Sequence, residues 1–347
     1  MNRRPLGRTG LTVSQLCLGT MTWGSQNSEA EGHEQMDFAV DRGIDFFDTA
    51  EMYPTTPLSR DTFGRTEEII GSWLQKSGKR DRIVLATKIT GEGSPMARDG
   101  APITPAAMRQ SVEGSLRRLR TDHIDIYQLH WPNRGSYHFR KSWTFDPTKQ
   151  DTAVTLADIG EVLEEAQRLV EAGKIRHIGL SNESAWGVAQ FLRIASENSL
   201  PRVVTIQNEY SLLHRIFDLD LAELSHHEDV GLMAFSPLAT GMLSGKYAGG
   251  KIPAGSRRSM REALNGRWND YSIVALDKYL AVAAKHGLDP AQMALAFCLT
   301  RPFMTAAIIG ATSMEQLKTD IGAADLTLSD EVMADIQAVY RAHPLTM

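Results

Sequence analysis

Acidic, basic and phenolic side chains follow short apolar runs at several points along this sequence of 347 residues. Asp48 comes directly after the apolar run Ile44–Phe47, and Tyr53 follows five residues later. Lys88 and His130 come directly after the next two apolar runs along the chain. If these runs are strands whose carboxyl ends meet, then a carboxylate, a phenol, an ammonium and an imidazole share one site.

The chemistry open to these four groups is limited. A phenol has a pKa near ~10 and is a weak acid at neutral pH, but a nearby ammonium favours its ionised form and lowers that pKa. Lys88 can supply the ammonium, Asp48 can hold it charged, and His130 can orient a substrate carbonyl. Such a phenol can give a proton to an oxygen that is becoming an alkoxide. Because no side chain supplies a hydride, the chemistry implies a nicotinamide cofactor.

The elements that position these groups form a regular alternation. The strand candidates, such as Ile124–Leu129, are near-continuous apolar runs, which is typical of strands covered on both faces. Helix signals lie between them, for example Thr104 as N-cap followed by Pro105 at the first helical position. About eight such units without a break in composition predict a single domain over residues 1–347, an α/β protein with a (β/α)8 TIM barrel.

Two segments depart from the plain repeat. A β-hairpin is predicted at the N-terminus, from Arg3–Leu6 and Leu11–Val13, and a long aromatic loop after strand 4, from Trp131 to about Thr155. The competing architecture, an open doubly wound sheet, would carry a glycine-rich phosphate turn after an early strand. The nearest candidate begins at Gly91, but Met96 stands where the third glycine should be.

Composition excludes several classes of partner. The net charge of −5 and the lack of a long basic run argue against a nucleic-acid surface, and no apolar stretch is long enough for a membrane span. The first residues lack the apolar core of a signal peptide, so a cytoplasmic location is expected. Cys17 and Cys298 are expected to be buried free thiols. No metal site is predicted, and nothing indicates the oligomeric state.

Over nearly its whole length the sequence resembles the aldo-keto reductase family. The similar segments are LGRTGLTVSQLCLGTMTWG, FFDTAEMY, TEEIIGSWL, ATK, IDIYQLHWP, IRHIGLSN, VVTIQNEYSLL, AFSPLATGMLSGKY and IIGATSMEQLKTDI. Within the family it resembles the bacterial Tas-like NADP(H)-dependent reductases and, more distantly, the potassium-channel β-subunits. The resemblance implies a tetrad of Asp48, Tyr53, Lys88 and His130, with Tyr53 as general acid.

The resemblance also implies a set of residues that contact the cofactor. Those near the nicotinamide and its carboxamide are Thr20, Met21, Asp48, Ser181, Asn182, Gln207 and Phe235, with Phe235 stacked on the ring. Those along the pyrophosphate and the adenosine are Ser236, Pro237, Leu238, Gly241, Gly310, Ala311, Thr312 and Gln316. Lys246 and Arg257 are the cations expected at a 2′-phosphate, which favours NADP(H) over NAD. Asp320 stands where relatives often have Asn, and an acid there works against a 2′-phosphate.

The substrate is expected to be a small aldehyde or ketone held between aromatic walls. The candidate wall residues are Trp23, Tyr53, Trp131 and Trp143, together with Tyr137, Phe139 and Phe145 of the aromatic loop. Alternatively, these aromatics serve only to pack the loop onto the barrel. Pro54 and the insertion Thr55–Phe63, directly after Tyr53, are expected to reshape the rim of the pocket.

Two other functions are compatible with the sequence. A regulatory or scaffold subunit would bind a nicotinamide nucleotide with little turnover. A Schiff-base lyase would use Lys88 as its nucleophile, but a nucleophilic lysine is usually neutral, and the neighbouring Asp48 argues against it.

Overall fold

Eight parallel strands close into a barrel in the computed structural model, which describes all 347 residues. This confirms the predicted (β/α)8 fold. An antiparallel hairpin of β1 (Arg3–Pro5) and β2 (Thr12–Ser14) precedes it, also as predicted. The barrel strands are β3 (Leu16–Gly19), β4 (Phe46–Asp48), β5 (Val84–Ile89), β6 (Ile124–Leu129), β7 (Ile175–Ser181), β8 (Val203–Glu209), β9 (Gly231–Phe235) and β10 (Met304–Ile309).

Helices cover the outside of the barrel. They are α1 (Glu29–Asp41), α2 (Arg65–Ser77), α3 (Pro105–Leu119), α4 (Thr152–Glu171), α5 (Ala185–Asn198), α6 (Asp220–Glu228), α7 (Arg257–Met260), α8 (Asp270–Lys285), α9 (Pro290–Leu299), α10 (Met314–Gly322) and α11 (Asp330–Ala342). The predicted cap of α3 is confirmed, because the Thr104 side chain accepts a hydrogen bond from the backbone N–H of Ala107.

Several predicted boundaries were wrong by a few residues, among them the end of β5, which includes Lys88, and the two boundaries described next. Strand β4 runs from Phe46 to Asp48, so Asp48 is the last residue of the strand and not the first residue of the loop. Helix α4 begins at Thr152, before the predicted end of the aromatic loop, because the Asp151 side chain accepts from the backbone N–H of Val154 and caps it.

The apolar core has two parts. The larger one lies between the barrel and its helices, and the smaller one fills the barrel interior. Leu6 and Val13 of the hairpin segment belong to the interior core, together with residues of the barrel strands such as Phe46 and Met233. The hairpin therefore closes the amino-terminal end of the barrel, and the carboxyl ends of the strands remain for chemistry.

Cys17 and Cys298 are buried and free, as predicted. Burial raises the pKa of the Cys298 thiol to about 12, so it stays protonated and unreactive at neutral pH. None of the helices combines the length and apolar character needed to cross a lipid bilayer.

Candidate active site

The side chain of Asp48, the last residue of β4, is bonded to side chains of three other barrel strands near their carboxyl ends. Its Oδ2 lies 2.6 Å from Nζ of Lys88 on β5. Its Oδ1 accepts from Nε2 of Gln128 on β6 (3.1 Å) and from Nε2 of Gln207 on β8 (2.8 Å). All four side chains are buried. The carboxylate is thus held in one position by three donors from three other strands.

Lys88 is a charged ammonium in this setting. Burial alone would lower its pKa, but the Asp48 carboxylate and the Tyr53 phenol outweigh burial, and the pKa is raised. Nζ also donates to the backbone carbonyl of Thr49 at 2.6 Å. A permanently protonated amine has no lone pair for attack on a carbonyl. The geometry therefore disfavours the Schiff-base alternative.

Tyr53 lies against this ion pair. Nζ of Lys88 is 5.0 Å from the centroid of the phenol ring. Burial raises the pKa of Tyr53, and the charge of Lys88 lowers it by less, so the pKa is raised overall. The prediction of a lowered pKa for Tyr53 was wrong in its net direction. It included the effect of the Lys88 ammonium but not the effect of burying the phenol away from water. The phenol keeps its proton throughout the neutral range and is available as a donor.

His130 faces the same phenol. The ring centroids of Tyr53 and His130 are 5.9 Å apart. Burial, assisted by the charge of Lys88, holds the pKa of His130 well below its usual value, so the imidazole is neutral. Its Nδ1 is buried without a hydrogen-bond partner. A neutral imidazole has one N–H to donate, which suits the alignment of a substrate carbonyl oxygen.

Unpaired polar atoms lie next to the tetrad, where a nicotinamide carboxamide is expected. Asn182 has a left-handed backbone (φ 53°) and donates to the carbonyl of His130 (2.9 Å), which leaves its Oδ1 buried without a partner. Ser181 Oγ donates to the carbonyl of Gln207 (2.8 Å). The Gln207 amide nitrogen is engaged by Asp48, so only its oxygen remains for a ligand. Free acceptors of this kind fit the N–H groups of a carboxamide.

The segment after β9 forms a cradle suited to phosphate. Ser236, Ala239, Thr240 and Gly241 all have positive φ, and turns of this kind can present backbone N–H groups to an anion. The N–H of Gly241 is already bonded to the carbonyl of Leu238 (2.9 Å), so the candidates are the N–H groups of the turn that are not bonded in this way. A Cβ on Gly241 would lie 2.6 Å from Cε and 2.8 Å from Nζ of Lys246. The flexible end of Lys246 could move away from a Cβ, so it is the left-handed φ of 91° that favours glycine here. Lys246 has no carboxylate partner, and its ammonium is free to meet an anion.

Other predicted nicotinamide residues surround the opening. Oγ1 of Thr20, at the end of β3, donates to the carbonyl of Asp48 (2.9 Å) and is buried. Met21 and Phe235 are partly exposed at the ends of their strands, where a ring could lie against them. Pro237 is buried and Leu238 is partly exposed in the turn that follows.

The residues predicted to lie along the adenosine are at and just before the start of α10. Gln316 Oε1 accepts from the backbone N–H (3.0 Å) and the hydroxyl (3.1 Å) of Thr312. The nearest atom to a Cβ built on Gly310 is the carbonyl oxygen of Gly19, at 3.6 Å. Asp320 is buried on α10. Burial and the charge of Asp289 raise its pKa to about 7, although Lys246 opposes the shift.

Arg257 on α7 has neither an ion-pair partner nor a side-chain hydrogen bond in the structure. Burial is the main cause of its lowered pKa. Its charge lowers the pKa of Lys246 and also acts on the pKa of Tyr53. The guanidinium therefore lies within electrostatic range of both Lys246 and the Tyr53 phenol.

Only one of the three tryptophans predicted as pocket walls lies beside the tetrad. The ring of Trp131 packs against His130 (centroids 5.0 Å apart), and its Nε1 donates to the carbonyl of Glu92 (2.9 Å). Gly91 is needed beneath it, since a Cβ there would lie 2.2 Å from the indole. The other two tryptophans have different surroundings. Trp23 is fully buried, with Nε1 bound to Gln35 (2.9 Å), and Trp143 is 68% exposed.

The peptide bonds Tyr53–Pro54 and Thr56–Pro57 are cis. Arg261 beyond α7 contacts the backbone carbonyl of Thr55 (3.5 Å). The insertion after Tyr53 thus lies next to the segment that carries Arg257.

Gln128 and the carbonyl of Thr49 were missed by sequence reasoning. Gln128 left a signal, since an amide within the apolar strand IDIYQL must find a buried partner. The Thr49 carbonyl left none, because every residue has one.

Replacing Asp320 with Asn tests the buried acid. Because the folded pKa of about 7 lies above the ordinary 3.8, its stabilising effect is complete below pH ~4 and lost as pH rises through 7. Above pH 8 the free energy of unfolding of the wild type should therefore have fallen by up to about 4 kcal/mol, and that of Asp320→Asn should not. Urea denaturation at pH 5 and pH 8 measures the part of this loss that falls between those pH values, about 3 kcal/mol. Asp325→Asn, at an exposed site nearby, is the control. Equal pH dependence in wild type and Asp320→Asn would rule the effect out.

The fold and this site are those of a (β/α)8 barrel with Asp48, Tyr53, Lys88 and His130 gathered at the carboxyl ends of its strands. A model of the Aldo/keto reductase family matches residues 15–341, and this chain belongs to that family.

Similar proteins extend over nearly the whole chain. It is 44% identical to "Protein tas" of Escherichia coli K12, across 99% of both chains. It is 34% identical to "Uncharacterized oxidoreductase YrpG" of Bacillus subtilis, across 96% of this chain and 94% of that one. It is 29% identical to a "Probable voltage-gated potassium channel subunit beta" of Oryza sativa subsp. japonica, across 99% and 98%. Oxidoreduction is thus supported as the general class of chemistry.

Proposed function

We propose that this protein reduces aldehydes or ketones to alcohols with NADPH as the hydride donor. The observation that carries the proposal is the buried Asp48–Lys88 pair beside a protonated phenol and a neutral imidazole. A site that only bound a nucleotide would not need to bury a charged pair next to two proton-donating rings. Family membership supports a nicotinamide cofactor and a small carbonyl substrate.

In the proposed mechanism the protein supplies the proton and the alignment. His130 donates its N–H to the substrate carbonyl oxygen and fixes its position beside the Tyr53 hydroxyl. Tyr53 then gives its proton to that oxygen as negative charge develops there. Lys88, held charged by Asp48, stabilises the phenolate that remains. The nicotinamide, when bound, supplies the hydride.

The free polar atoms near the tetrad would hold that cofactor. Oδ1 of Asn182 and the oxygen of Gln207 would accept from the carboxamide, and the turn around Gly241 would surround the pyrophosphate. Lys246 and Arg257, neither of which has a carboxylate partner, support a preference for the 2′-phosphate of NADP(H). Asp320 opposes that preference when it is ionised.

The proposal is tested by following NADPH and NADH oxidation with a panel of aromatic and aliphatic aldehydes and ketones. Turnover with at least one carbonyl compound, faster with NADPH than with NADH, is the expected result. Tight binding of NADPH without turnover of any compound would instead support the regulatory subunit suggested by the rice relative.

Lys246→Met should raise the Kd for NADPH about ten- to a hundredfold, because a charge-assisted contact worth ~1.5–3 kcal/mol is lost. The Kd for NADH should change less if the ammonium meets the 2′-phosphate. Fluorescence titration of each nucleotide measures both constants. Lys251→Met, an exposed lysine in the same segment, should leave them unchanged. An equal loss for NADH and NADPH would assign Lys246 to the pyrophosphate alone.

A further inference from the structure

One buried carboxylate lies between the two long loops that cover the barrel opening. Glu209 is the last residue of β8 and is 4% exposed. Arg140, in the loop after β6, binds it through two nitrogens at 3.0 and 2.6 Å. Arg267, in the segment between α7 and α8, binds Oε1 through Nε at 2.7 Å. Although burial raises the pKa of Glu209, Arg267, His214 and Arg140 lower it by more, so the group is a carboxylate.

Arg140 is connected to the His130 imidazole through packed aromatic rings. Phe139 and Arg140 both have left-handed backbones (φ 58° and 66°), which cost free energy unless surrounding contacts hold them. The ring of Phe139 meets Trp131 edge-on (5.9 Å), and Trp131 in turn packs on His130 (5.0 Å). The ion pair to Glu209 therefore fixes the aromatic wall beside the proton donor.

Arg267 is connected through Trp268 to the residues next to Lys246 and Arg257, the two cations expected to meet the cofactor phosphates. Trp268, the next residue, lies under the guanidinium of Arg258, 3.7 Å from the ring centroid. Its ring also meets Tyr247 edge-on at 6.1 Å. Tyr247 follows Lys246, and Arg258 follows Arg257, so both unpaired cations lie next to residues that Trp268 anchors.

We propose that Glu209 is a positioning residue that couples the substrate wall to the cofactor cradle, with Arg140 holding the first and Arg267 the second. This inference rests on the proposed function for the identity of the two ligands. It assigns Glu209 no contact with either of them. Its position, two residues beyond Gln207, ties both loops to the strand that already holds Asp48.

The two arginines should have separable effects. Arg267→Met should raise the Kd for NADPH about tenfold and leave the KM for 4-nitrobenzaldehyde, measured at saturating NADPH, within about twofold. Arg140→Met should do the reverse. In each variant Glu209 keeps an ion pair with the other arginine. Its buried charge therefore does not become unpaired, and both proteins should fold. Glu209→Gln, which weakens both contacts, should raise both constants.

A similar arrangement at the other end of the barrel provides the control. Asp125, near the start of β6, is buried and binds Arg80 (2.7 Å) and Arg176 (2.7 Å). Arg80→Met should lower Tm as the other variants do, and leave both constants unchanged. Arg140→Lys and Arg267→Lys, which keep one charge contact, should recover part of each loss.

The outcomes separate this inference from the proposed function. The coupling would be overturned if the Kd for NADPH and the KM for 4-nitrobenzaldehyde shifted together in each arginine variant, or if Arg80→Met shifted them equally. The ion pairs of Glu209 would then contribute only to stability. If the wild type turns over no carbonyl compound, the proposed reduction fails. In that case the coupling is judged by calorimetric titration with NADPH and with 4-nitrobenzaldehyde: selective loss of one ligand in each arginine variant supports it, and parallel loss refutes it.

Discussion

Tyr53→Phe is expected to lower kcat for aldehyde reduction by roughly 10²- to 10⁴-fold, the usual contribution of a positioned general acid. The ring remains to fill its place against Lys88 and His130, so only the transferable proton is lost. The Kd for NADPH should stay within about twofold, because the hydroxyl is not needed to hold the nucleotide. Steady-state rates with 4-nitrobenzaldehyde and fluorescence titration of NADPH measure the two quantities.

A matched control exists in the aromatic loop. Tyr137 is also a largely buried phenol with a raised pKa, but it stacks on His138 (4.4 Å) and not on the tetrad. Tyr137→Phe should keep near wild-type turnover. If Tyr53→Phe keeps it as well, the acid has been assigned to the wrong group. Because burial raises the pKa of Tyr53, wild-type activity should also show no loss from tyrosine ionisation between pH 6 and 9.

Lys88→Met is expected to be the most destabilising substitution in the site. It leaves the Asp48 carboxylate buried without its cation, which typically costs ~3–5 kcal/mol of unfolding free energy. Gln128 and Gln207 still donate to Asp48, so the protein should fold at low temperature. Turnover should fall as well, since nothing then stabilises the phenolate. Urea denaturation and steady-state kinetics below Tm measure both effects.

The double variant Asp48→Asn/Lys88→Met separates the two effects. With both charges removed, most of the lost stability should return, because no unpaired charge stays buried. Turnover should stay low. Recovery of turnover along with stability would show that Lys88 acts only through folding, and that the phenol needs no neighbouring charge.

The sequence was most informative where polar residues end apolar runs. Asp48, Lys88 and His130 were placed correctly at one face because strand ends of a parallel barrel meet there. The Asp48–Lys88 pair also followed from simple charge pairing. The boundary of β4 was less predictable, since Ile44 is as apolar as the strand residues and is nevertheless outside the strand.

Long-range partners could not be predicted from local patterns. Glu209 binds Arg140 and Arg267, which are 69 and 58 residues away, and nothing in the sequence pairs them. Trp23 and Trp143 have the same side chain, yet one is in the core and the other faces solvent. Composition shows that a loop is rich in aromatic residues, but which of their rings is buried depends on the three-dimensional fold. The net pKa of Tyr53 likewise depends on burial, which the spacing of residues does not reveal.

The shared attachment of Asp48 to β5, β6 and β8 bears on how such a protein can diversify. A substitution at any of these positions is expected to disturb the Asp48–Lys88 pair and the hydrogen bonds between the strands together. The insertion after Tyr53 and the aromatic loop after β6 touch that arrangement only at its rim. If Tyr53 is the proton donor proposed above, exchanging these loops is expected to change the substrate range and to leave the donor in place.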